Sequence, residues 1–83
     1  MEMEMVLKEL VRMRKANIVK GEKWKTKLKQ QEELLEYHTN DNNRALTEYV
    51  IGYIKELIDM NNYYREGIEK AIQLIELNNN SAV

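Results

Sequence analysis

Between Arg44 and Leu77 the apolar residues recur in two adjacent helical rows, and no prolines interrupt them. Leu46, Val50, Tyr53, Leu57, Met60, Tyr64, Gly67, Ala71 and Leu74 step by alternating fours and threes, the rhythm of a helix packed along another helix. Beside them run Ile51, Ile54, Ile58, Ile68, Ile72 and Ile75, interrupted by Asn61 and Arg65. Lys55, Asp59, Asn62, Glu66, Glu69, Gln73 and Glu76 occupy the opposite side and suit solvent. Alternation by two never persists, which excludes a strand. A face of two rows is wider than one partner helix covers. Each Leu or Ile left in water forfeits roughly 1.5–3 kcal/mol, so something must cover both rows.

Residues 2–38 carry a single narrower row. Met3, Leu7, Leu10, Arg14, Asn17, Gly21, Trp24, Leu28, Gln31, Leu35 and His38 keep the four-three step without a slip. Gly21 follows Lys15 and Lys20, a combination that ends many helices. Lys23 and Lys25 would sit poorly at a fresh N-terminus, which favours continuity. Residues 2–38 therefore read either as one helix weakened or kinked at Gly21 or as two helices broken at 20–22. Glu2 and Glu4 suit the first turn.

Thr39, Asn40, Asp41, Asn42 and Asn43 form the clear turn, with Thr39, Asn40 and Asp41 as candidate caps. The expected organisation is one all-α domain over 1–83: helix 2–38, turn 39–43, helix 44–77 and a frayed polar tail 78–83. Two arms of similar length imply an antiparallel helical hairpin in which residue i lies opposite about 81 − i. Trp24 then meets Leu57, and Arg14 comes near Gly67, within reach of Glu66 or Glu69. The Leu46 row is expected to face the first arm. The isoleucine row, Ile51, Ile54, Ile58, Ile68, Ile72 and Ile75, is left over and is expected to form the self-association interface of a dimeric helical bundle. A third helix folded over it is the competing arrangement.

Charge is unevenly distributed. Residues 1–30 hold nine Lys/Arg and four Glu, whereas residues 31–83 hold four Lys/Arg and ten Asp/Glu. The plainest reading sets a basic helix against an acidic one. The alternative gives the basic zone an anion. Arg12, Lys15, Lys20, Lys23, Lys25, Lys27 and Lys29 surround Trp24, a combination that holds phosphates and stacks bases when the groups share a face. Lysines at consecutive odd positions fan around a helix, and Trp24 lies on the seam row, so a core tryptophan among solvated lysines is the favoured reading.

Catalytic chemistry finds no support in the residue types. The chain has no cysteine and one histidine, His38, with no acid at ligand spacing. The single serine, Ser81, lies in the tail, there is no Gly-rich phosphate loop, and the carboxylates are scattered over polar faces. No catalytic residue, metal site or cofactor is expected. Tyr49 and Tyr63 lie at the margin of the apolar rows and are candidates for a partner surface, because tyrosine is amphipathic and common at interfaces. No stretch approaches the ~20 apolar residues of a membrane span. The acidic start lacks the bases of an export signal, which leaves a cytoplasmic protein as the expectation.

The function expected is therefore a small non-enzymatic protein–protein interaction module, a regulator, inhibitor or assembly adaptor working by helix packing and homodimer formation. Nucleic-acid or nucleotide binding by the basic half ranks second.

Overall fold

The structure, a computed structural model, describes the backbone of residues 2–81 and the side chains of residues 3–79. Two helices, α1 (Glu2–Tyr37) and α2 (Asp41–Ser81), pack antiparallel along their length as a hairpin. The rod measures 65 Å along its axis.

Of the two options for the first arm, the structure takes the continuous one: α1 runs unbroken through Gly21. Its buried and half-buried positions are Leu7, Leu10, Arg14, Asn17, Gly21, Trp24, Leu28, Gln31 and Leu35, the row read from the spacing, with Met3 at its exposed end and the half-buried His38 continuing it just beyond the helix.

On α2 the two rows exchange the expected roles. The isoleucine row packs against α1: Ile51, Ile54, Ile72 and Ile75 are buried, Ile58 and Ile68 half-buried. Those isoleucines are thus occupied within the single chain, and Leu46, Val50, Tyr53, Met60, Tyr64 and Leu74 face outward instead. The polar interruptions explain the choice. Asn61 is buried beside Asn17, and each side-chain amide donates to the other residue's backbone carbonyl at 3.1 Å. Only when the isoleucine row faces α1 does the Asn61 interruption meet the Asn17–Gly21 interruption. Polar groups in a helical seam fix register in this way, at some cost in stability.

Gly21 belongs to the same layer. A Cβ built on it would lie 2.7 Å from the Asn61 amide nitrogen, closer than real atoms approach. The glycine is there because Asn61 fills the space its side chain would need. Residue 21 facing residue 61 sets the register at about 82 − i, one residue from the expected value. Trp24 lies beside Leu57, Met60 and Asn61. Arg14 does not follow the expectation. Among the described residues it makes no ion pair with Glu66 or Glu69, and Gly67 lies on the exposed side of α2.

The turn is tighter than expected, and α2 starts at Asp41. Asn40 caps it: its Oδ1 accepts from the Asn42 and Asn43 amides at 2.8 and 3.3 Å, the two donors an N-cap normally satisfies. Asn42 and Asn43 then enter the first helical turn instead of the connection. Arg44 ties the two helices together. Its Nη1 donates to the Leu35 and His38 carbonyls at 3.0 and 3.1 Å, satisfying acceptors that a helix C-terminus leaves open. Arg44→Ala should therefore lower stability by about 1.5–3 kcal/mol, the range for hydrogen bonds to a charged donor. Urea denaturation followed by circular dichroism measures this. Arg44→Lys should recover only part of it, because an ammonium lacks the planar fork.

The helix continues through Asn78, Asn79 and Asn80 to Ser81, where a frayed tail was expected. Extending an existing helix is cheap, and asparagine costs at most about 0.7 kcal/mol relative to alanine. Residues 82 and 83, the rest of that tail, and the Glu2 side chain lie outside the described residues.

Candidate functional site

The hairpin leaves apolar side chains exposed on both helices, among them Val6, Val11, Met13, Ile18 and Val19 of α1 and the Leu46 row of α2. Leu46 is 66% exposed, Tyr53 56%, Met60 51% and Leu74 58%, against 5% and 4% for Ile54 and Ile72 on the packed row. The difference follows from helix geometry. The two rows lie on neighbouring flanks of one cylinder, and α1 covers only one of them.

Tyr49 and Tyr63, singled out as a partner surface, are 77% and 73% exposed. Tyr49 is three residues beyond Leu46 and four before Tyr53. Tyr63 stands in the same relation to Met60 and Gly67. On a helix those offsets place both tyrosines beside the open row, so they widen it. Tyr63 also meets Tyr64 edge to face, with ring centroids 6.1 Å apart and planes at 68°, an arrangement aromatic pairs favour.

On the α1 side of this row lie shallow hollows between the helices. One is bordered by Leu10, Tyr64, Gly67, Ile68 and Ala71, a second by Met13, Asn17, Lys20, Asn61 and Tyr64, and a third by Trp24, Leu57, Met60 and Tyr64. Tyr64 is common to all three, so they form one continuous face. Among the described residues the buried Asn17 Oδ1 has no hydrogen-bond partner. The reciprocal amide bonds use both Asn17 and Asn61 as donors, which leaves this acceptor as the cost of the polar layer.

The basic zone is arranged differently. Arg12, Lys15, Lys20, Lys23, Lys25, Lys27 and Lys29 are all exposed. The structure brings Arg12, Lys15, Lys20 and Lys23 around one shallow hollow floored by Ala16 and Val19. Lys23 and Lys27 border the next, with Ile18, Thr26 and Gln30. Lys25 pairs with Glu22 at 3.8 Å and Arg12 with Glu9 at 3.2 Å, both within α1. The Lys27 ammonium sits 5.1 Å from the Trp24 ring centre, a cation–π contact. Trp24 is half-buried in the seam, so its ring serves packing and holds Lys27. Among the described residues no ion pair joins α1 to α2, so the opposite charge of the two halves acts at most through the longer-range field.

His38 lies just beyond the C-terminal end of α1, where its carbonyl accepts from Arg44. Among the described residues no group of three His, Asp or Glu side chains is placed to hold a metal ion, and no helix is long and apolar enough to cross a membrane. In comparisons with known proteins, no family model, curated sequence or solved structure matches the chain.

Proposed function

We propose that the protein is a non-enzymatic protein–protein interaction module, a regulator, inhibitor or assembly adaptor that works by helix packing and self-association. One observation carries this reading: a finished two-helix seam leaves most of a second apolar row of α2 in solvent, with Leu46, Val50, Tyr53, Met60, Tyr64 and Leu74 exposed and Leu57 and Ala71 half-buried. Soluble monomers rarely leave so long an apolar strip uncovered, and such strips mark interaction sites. Tyr49, Tyr53, Tyr63 and Tyr64 add the residue type enriched at interfaces.

The test is a pair of charge insertions on the open row. Tyr53→Glu with Met60→Glu should leave helix content unchanged and abolish both self-association and recovery of partners from the native host. If the double variant associates as the parent does, this face is not the working surface.

A second reading rests on the Arg12, Lys15, Lys20 and Lys23 cluster around one hollow of α1: binding of nucleic acid or nucleotide through phosphate contacts. Titration of labelled DNA, RNA and nucleotides at low and moderate salt decides it. Saturable binding that weakens with salt, and is lost when Lys20 and Lys23 are changed to Glu, would favour this reading. No binding at either salt concentration would remove it.

A further inference from the structure

We propose that the open row of α2 is covered by the α2 of a second copy, running antiparallel about a two-fold axis near Met60. This rests on the self-association reading above and adds the face, the occupant and the orientation.

The chain exposes 6927 Å², whereas a folded monomer of 9.9 kDa is expected to expose about 5,200 Å². The surplus exceeds the ~800 Å² that each partner contributes to a standard interface. It belongs to an open rod, and Leu46, Val50, Tyr53, Met60, Tyr64 and Leu74 of the open row contribute to it.

The open row carries Val50 and Tyr53 behind Leu46 toward the turn, and Gly67 and Ala71 before Leu74 toward the other end. Nothing in the hairpin requires Gly67: a Cβ there meets no atom within 4 Å. A parallel pairing sets Gly67 against Gly67 and Tyr53 against Tyr53, which leaves a gap and a crowd. An antiparallel pairing about Met60 lays Tyr53 and Tyr49 of each α2 over Gly67 and Ala71 of the other, with Leu46 against Leu74.

The turn end carries Glu32, Glu33, Glu36, Asp41 and Glu48 against Arg44 alone. Parallel copies would bring two such ends together, and antiparallel copies place them at opposite ends of the rod. The contact falls on α2 because its open row carries no charged residue, whereas the exposed Val6 and Met13 of α1 are followed at the same seven-residue spacing by Lys20 and Lys27.

The chain has no cysteine, so single cysteines report neighbours directly. In the full-length protein, the Met60→Cys variant should cross-link to itself with a short bismaleimide. Leu46→Cys alone should not, but mixed with Leu74→Cys it should. Asp59→Cys, on the far side of α2, sets the rate of random collision. The solution mass of each variant is measured alongside. Self-linking of Leu46→Cys, or a dimeric mass with Met60→Cys linking no faster than Asp59→Cys, overturns the antiparallel assignment and leaves self-association standing. A monomeric mass for the parent chain overturns both.

Discussion

Ile72→Ala is expected to remove about 2–5 kcal/mol of stability, the range for emptying a well-packed buried site, whereas Leu74→Ala, two residues on, should change it by no more than about 0.5 kcal/mol. Ile72 is 4% exposed and Leu74 58%, yet the two are close in size and hydrophobicity. Small domains have few kcal/mol in hand, so the first change is severe enough to leave a large fraction of chains unfolded at room temperature. Urea titration at a concentration low enough to keep the chain monomeric measures both. The contrast tests which row faces α1. Equal losses at the two sites, or the larger loss at Leu74, would mean that the hairpin packs through the other row.

The second large effect reverses the usual sign of a helix substitution. An alanine in place of glycine inside a helix normally stabilises by about 0.5–1 kcal/mol. Gly52→Ala should show that gain, because its new methyl meets nothing within 4 Å. Gly21→Ala should instead lose about 1–2 kcal/mol, because the added Cβ displaces the Asn61 amide and breaks a buried hydrogen bond to Asn17. The loss depends on Asn61 being there. In an Asn61→Ala background the same Gly21→Ala change should become neutral or favourable, and the double-mutant cycle should return a coupling of about 1–3 kcal/mol. Additive effects would show that Gly21 and Asn61 do not touch. Thermal melts of the four proteins measure it.

Much of the fold is legible in the sequence because helical spacing leaves a strong trace. The unbroken four-three step from Leu7 to His38 names the buried side of α1, and the Asn-rich stretch at 40–43 marks the reversal. What the spacing alone does not resolve is which of two equally greasy rows on α2 meets α1. Counting apolar residues favours the Leu46 row, since it has no asparagine or arginine in it. Matching the defects would have favoured the other: Asn17 and Gly21 in α1 need polar or accommodating neighbours, and Asn61 stands at the right distance along α2 to supply them. A buried amide in one helix has to meet a buried amide in the other, because leaving either alone costs more than any difference between Leu and Ile.

The candidate surface was only partly legible for the same reason. Tyr49 and Tyr63 lie at the edge of an open apolar face, whereas the isoleucines singled out for self-association lie in the hairpin's own core. The uncovered strip moved from one row to its neighbour without disappearing. The Gly21 position was ambiguous because glycine is both a helix stop and a socket. Only the neighbouring Asn61 shows that it is a socket here.

Light scattering coupled to size-exclusion chromatography, run on the unmodified chain over a wide concentration range, tests the central claim most directly. The account predicts a mass of twice 9.9 kDa that falls back toward a single chain on dilution and when Tyr53 and Met60 are both changed to Glu. A mass that stays at one chain throughout would contradict it, since Leu46, Tyr53, Met60 and Leu74 would then be content in water.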